Sequence, residues 1–317
     1  MKENLLTTEH IMERRYSIGD DLYGIMFLVC YGLVSRYGEV YRPVIENVIR
    51  NTEVYIDNLP IVEIMEENGF DPENIYGGED LNNSEFSTVA ASFPGVDVWF
   101  DKDKNVHHYK DNPVVFCSTV GQSYNELLNA LIHEFLHLLK GTINNLETDT
   151  GYFSIRSGLN KYGMGFGKDN KPFEFCTDSV IDEVINVFDT TDAMIEIGKL
   201  DGNYLHPTVK LDFEQLDLRS MSDVHGYQYG VHALRNLWNN PVFRDLISSN
   251  IVEGNIDTIK SEFDSIAGYD SFYELSDYLE TLEYSTDEDE IDIISSYITG
   301  IVDSYNLGTE DLVKKKI

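Results

Sequence analysis

Apolar residues crowd the chain in two rhythms. From Asp20 to Thr52 they recur at helical spacing and thicken into the run Ile25 to Val34 (IMFLVCYGLV), with a bend expected at Pro43. A second helix is expected over Ile61 to Asn68, before a loop-like stretch, residues 71 to 86, rich in Gly, Asn, Asp and Pro. The rhythm then shortens. Ser87 to Phe93, Val96 to Phe100 and Pro113 to Val120 read as strands, with DKDKN turning the chain after Phe100. Tyr152 to Arg156 suits one more strand, and Gly158 to Pro172 reads as a Gly-rich loop. From Thr177 onward the pattern is almost wholly helical, including 179–188, 223–238, 272–283 and 287–305. The order of elements predicts an α+β lobe over residues 1–200, with a small, mostly antiparallel sheet, and a helical lobe over 201–317.

The most informative segment is SYNELLNALIHEFLHLLKG, Ser123 to Gly141. Ser123 and Glu126 form an S-x-x-E capping box, and Gly141 suits a left-handed residue just past the helix end. Leu127, Leu128, Leu131, Ile132, Phe135, Leu136, Leu138 and Leu139 make the helix apolar on most sides, so it is expected to be buried. Into it the sequence places His133 and His137, four residues apart and hence on one face, with Glu134 between them. Burying two His and a Glu among leucines is costly unless they have partners. The HExxH pattern names the partner as zinc, with His133 and His137 as ligands and Glu134 as the base that takes a proton from the attacking water. Zinc in such a site moves the pKa of water towards neutrality and polarises the scissile carbonyl.

A catalytic zinc needs a third protein ligand. The metzincin continuation HExxHxxGxxH is excluded, since Lys140 and Ile143 stand at its Gly and His positions. Two carboxylates compete. Glu183 sits in TDSVIDEVINVFD among Val180, Ile181, Val184, Ile185, Val187 and Phe188, where a buried carboxylate needs a cationic partner. Asp149 lies nearer to the motif, in ETDTGYF, where an Asp beside Gly also suits a turn.

HExxH followed by IDEVINVF resembles the gluzincin clan of zinc metallopeptidases, in which a Glu from a second helix completes the metal site; Glu183 falls on that position. The resemblance covers roughly residues 85 to 240 and implies a zincin-like fold, one zinc per chain, and hydrolysis of peptide bonds in peptide or protein substrates. It also implies that an edge strand, Val89–Phe93 or Val114–Thr119, pairs with extended substrate. Gluzincins offer a Tyr or His from the helical lobe to the tetrahedral intermediate, which points to Tyr227, with His225 and His232 as rivals. The Asp that thermolysin-like enzymes place four residues after the ligand Glu is Val187 here, leaving Asn186 or Asp182 for that support. TDTGY is similar in part to the aspzincin motif, which would make Asp149 the ligand. A zincin-fold binding protein without activity is the reading from a different class, and the intact Glu134 argues against it. The absence of a recognisable GxMEN-type element tilts the expectation towards an endopeptidase.

Charge and cysteine usage narrow the partners. A formal net charge of −33 repels phosphate backbones and anionic lipid, so neither nucleic acid nor a membrane is expected. Cys30, Cys117 and Cys176 are odd in number and far apart, which suits reduced thiols. The opening MKENLLTTEHIMERRYS has no apolar core of a signal peptide, and a cytoplasmic location is the expectation.

Overall fold

The computed structural model describes residues 20–70, 90–93, 96–100, 106–110, 112–140, 146–149, 152–166, 172–199 and 227–316. These group by contact into two units, one holding the chain up to Leu139 and again from Asp189, the other Lys140–Phe188 and the C-terminal helices.

In the first unit, α1 (Asp20–Tyr37) and α2 (Arg42–Asn51) are separate helices. The chain breaks at Gly38, whose φ of 96° lies in the left-handed region, passes through a 3₁₀ turn at Glu39–Tyr41, and restarts with Pro43 in the first turn of α2. The break therefore precedes the proline expected to cause it: Gly ends one helix, and Pro, which needs no N–H partner there, opens the next. After α2 come β1 (Glu53–Asp57), α3 (Ile61–Glu67), β2 (Ala90–Phe93), the hairpin β3 (Val96–Phe100) and β4 (Val106–Lys110), β5 (Val114–Ser118), and α4 (Tyr124–Leu139).

β5 is the centre of a three-stranded sheet, parallel to β1 and antiparallel to β2, so the sheet is mixed rather than mostly antiparallel. β1 accounts for the difference, because a strand of five residues between two helices leaves too short an alternation to read. Side chains alternate across β5. Phe116 joins Ile61, Ile64, Met65 and Val114 in a core beneath α3, stacked on Tyr55 at 5.4 Å between ring centroids. α4 packs against β2 and β5.

In the second unit, β6 (Leu146–Asp149), β7 (Tyr152–Ser157), β8 (Asn160–Phe166) and β9 (Pro172–Thr177) form a four-stranded antiparallel meander. β8 occupies the stretch expected to be a Gly-rich loop, and β9 begins at its last residue, Pro172. Gly163 and Gly165 lie inside β8, in register with Phe175 and Phe173 of β9, so pairing on both sides outweighs their poor strand propensity. α5 (Ser179–Gly198) follows, its second half belonging to the first unit, where buried Asp189 accepts hydrogen bonds of 2.7 Å from both Arg36 Nε and Tyr37 Oη of α1.

The helices α6 (Gln228–Trp238), α7 (Pro241–Asn250), α8 (Ile256–Ala267), α9 (Ser271–Tyr284) and α10 (Glu288–Lys316) complete the second unit. Their core is aromatic: Trp238 stacks on Phe188 at 5.1 Å and Phe263 on Tyr305 at 4.6 Å. The fold is thus α+β and rich in helix, and no helix among the described residues is long and apolar enough to cross a membrane.

Candidate metal centre

α4 is built as its sequence requires. Ser123 N donates to Glu126 Oε2 at 2.6 Å and Glu126 N to Ser123 Oγ at 3.3 Å, so the capping box closes in both directions. Gly141 and the loop beyond it lie outside the described residues. Leu128, Leu131, Ile132, Phe135 and Leu136 are fully buried, and this packing fixes which way the polar stripe of the helix faces.

On that stripe His133 is buried and His137 half-buried, with their Nε2 atoms 3.2 Å apart and the rings nearly perpendicular. Two nitrogens bound to one tetrahedral zinc at its usual bond length stand about 3.3 Å apart. The pair therefore matches the donor spacing of a shared metal. Among the described residues, one group offers converging metal-ligand atoms. It comprises His133, His137 and Glu183, whose donor atoms lie within 4.8 Å of one another. Two imidazoles and a carboxylate form the donor set of a catalytic zinc that keeps a coordination position open.

Glu134 is half-buried on α4, the helix that packs against β2 and β5. Its charge reaches Cys117 of β5: burial first, and the Glu134 charge second, push that thiol well above its ordinary range and keep it protonated. Ala90, at one end of β2, pairs with Cys117, so this end of the sheet runs past the base. Of the two strands expected to pair with substrate, β5 is ruled out because both its edges are occupied. β2 is the outer strand and pairs only with β5 among the described residues.

Glu183 lies in the first turns of α5 in half-buried surroundings, and the chain around it is heavily tied down. Asp182, fully buried beside it, accepts from Leu159 N at 2.7 Å. Gly158 has φ of 61° and runs so close that a Cβ there would meet Asp182 Oδ1 at 2.2 Å. Gly158 N in turn donates to Lys140 O at 3.0 Å, and the buried Lys140 ammonium donates to Asn186 Oδ1 of α5. The β7–β8 turn thus ties the residue after the HExxH helix to the first turns of α5. Asp182 and Asn186, the candidates for orienting a zinc-bound His, carry these tethers, and Val187 is fully buried. The tethers escaped the sequence reading, because nothing local distinguishes a Gly fitted to a distant carboxylate from a Gly in a loop.

Tyr227 stands immediately before α6, its carbonyl accepting from Val231 N. Burial, then Glu183, Tyr284, Glu280 and Glu283 around it, push the phenol well above its ordinary pKa, so it persists as a hydrogen-bond donor near the Glu183 carboxylate. Its rival His232 is exposed, while His225 lies outside the described residues. Asp149 ends β6, paired with Tyr152 across the hairpin, and its side chain lies outside what is described.

No family profile, no characterised protein and no solved structure matches this chain.

Proposed function

We propose that this chain is a zinc-dependent peptidase with a zincin-like fold, in which His133, His137 and Glu183 hold the metal and Glu134 is the general base. The observation that carries the reading is the 3.2 Å separation of the His133 and His137 Nε2 atoms on a capped, buried helix that also bears Glu134. The buried His133 and the half-buried His137 and Glu183, set on apolar helices, are costly to desolvate, and a shared cation offsets that cost.

When bound, zinc supplies Lewis-acid polarisation of the scissile carbonyl and acidifies water. The rest of the chemistry belongs to the chain. A Glu134 carboxylate oxygen takes a proton from the attacking water and passes it to the departing amine nitrogen, so the base is regenerated within one turnover. Tyr227, held protonated, donates a hydrogen bond to the oxygen that gains charge as the carbonyl becomes tetrahedral. The outer edge of β2 offers its backbone to an extended peptide, which would run past Cys117 and Glu134.

The test is a pair of variants assayed with a peptide library read by mass spectrometry and with metal analysis of dialysed protein. Glu134→Gln keeps one zinc per chain and loses about 10²-fold or more in cleavage, the usual range for a general base. His133→Ala loses the zinc itself, and with it the thermal stabilisation that zinc gives wild type. Undiminished cleavage by Glu134→Gln refutes the mechanism, and wild-type zinc content in His133→Ala refutes the metal site.

A further inference from the structure

α10 has two long faces. Ile294, Ile298, Val302, Tyr305 and Thr309 are buried, and through them the helix packs on α8, α9 and α6. The opposite face carries Ile293, Tyr297, Gly300, Ser304 and Leu307, all exposed and spaced 4, 3, 4 and 3 residues apart. That is the 3.5-residue period of a helix–helix seam. Ile293, Tyr297 and Leu307 are 54%, 54% and 64% exposed, values at which water covers apolar groups that a partner helix would bury. Tyr297 is pre-ordered by stacking on Tyr278 of α9 at 5.4 Å. The centre of the seam is small, which lets a second backbone approach.

The charge beside this seam is one-sided. One edge consists of positions 289, 296, 303 and 310, seven residues apart, occupied by Asp289, Ser296, Asp303 and Glu310, all exposed. Between Lys260 and Lys314 the chain holds fifteen Asp and Glu and not one Lys, Arg or His. We propose that this face of α10 docks an amphipathic helix of a partner protein whose own seam is flanked by Lys or Arg. Flanking charges at such positions select the partner. A second copy of this chain fits badly, because it would set two rows of carboxylates within the screening length of about 8 Å. A small organic cation would leave most of the seam uncovered, since Ile293 to Leu307 spans about 21 Å at helical rise. The tyrosines add faces on which an Arg or Lys can rest. The proposal stands apart from the metal centre and does not require it.

The experiment uses the full chain and, as probe, a fluorescein-labelled peptide of about three heptads with Leu in its seam and Lys at the flanking positions, beside a counterpart with Gln in place of Lys. Binding is read by fluorescence anisotropy at physiological salt, and circular dichroism verifies each variant. The Lys peptide is expected to bind at least about ten times more tightly than the Gln peptide. Tyr297→Ser with Leu307→Ser is expected to weaken binding about tenfold, as is Asp289→Asn with Asp303→Asn and Glu310→Gln. A control removes the same charge from three exposed positions of α3, Glu63→Gln with Glu66→Gln and Glu67→Gln, and is expected to leave binding unchanged. Equal weakening by the control would reduce the effect to net charge and overturn the proposal. So would full binding by the Tyr297/Leu307 variant, or a dimer in sedimentation that the same variant dissolves.

Discussion

Gly158→Ala is the substitution for which the structure supplies most of the arithmetic. Gly158 has φ of 61°, and a left-handed conformation costs a residue with a Cβ about 1–2 kcal/mol. The new methyl would sit 2.2 Å from Asp182 Oδ1, far inside contact distance. Asp182 is buried at 1% exposure, so its carboxylate has nowhere to go without giving up the Leu159 N–H that it accepts at 2.7 Å. A hydrogen bond to a charged acceptor contributes about 1.5–3 kcal/mol. The sum predicts a loss of about 2.5–5 kcal/mol, read as a shifted urea midpoint. A double-mutant cycle separates the two parts. In an Asp182→Ala background the clash and the hydrogen bond are already gone, so Gly158→Ala should then cost only the backbone strain of about 1–2 kcal/mol. The reasoning fails if Gly158→Ala costs less than about 0.5 kcal/mol, or if its cost is the same in both backgrounds.

Two further outcomes follow from buried carboxylates. Asp189→Ala removes the nearer carboxylate from the buried Arg36 guanidinium, whose charge is held against the penalty of burial by Asp189, Tyr37 and Asp192, and leaves it Asp192 at 3.6 Å; it should cost about 1.5–3 kcal/mol in urea unfolding, and a loss under about 0.5 kcal/mol would refute that role. Glu283 is half-buried and accepts the Gly230 N–H, and burial raises its pKa above the ordinary 4.5 against the opposing pull of that hydrogen bond. A raised carboxyl pKa means that the folded chain binds more protons, so stability from this group is fully present below pH 4.5 and is lost as pH rises through the folded pKa. Glu283→Gln should therefore gain stability over wild type at pH 7.5 and lose that advantage towards pH 4.5, and a constant difference across thermal melts would contradict the assignment.

What the sequence disclosed and what it hid divide along a physical line. The HExxH helix was legible because its information is local: a reciprocal cap three residues apart, an apolar face at helical period, and two His one turn apart. Glu183 was singled out for a related reason, as a carboxylate among six apolar neighbours; the structure leaves it half-buried and brings its donor atoms within 4.8 Å of those of His133 and His137. β1, β4, β6, β8 and β9 were not, because a strand is stabilised by residues remote in sequence. Gly163 and Gly165 read as loop residues until β7 and β9 are seen on either side of them. The break at Gly38 was assigned to the neighbouring proline because both residues punctuate helices, and only the backbone angle separates an ending from a beginning.

The same line runs through the candidate site. Its donor groups declare themselves by residue type and spacing, whereas the parts that hold them in place do not. Lys140 is the clearest case. By type it belongs on a surface, and it stands where a metzincin would have glycine. Yet it is 1% exposed, with its ammonium on Asn186 and its carbonyl on Gly158 N. Burying the polar end of a lysine is costly unless its hydrogen bonds are met. Asn186 and the β7–β8 turn are therefore as much a condition of the HExxH helix ending where it does as the leucines are of its burial.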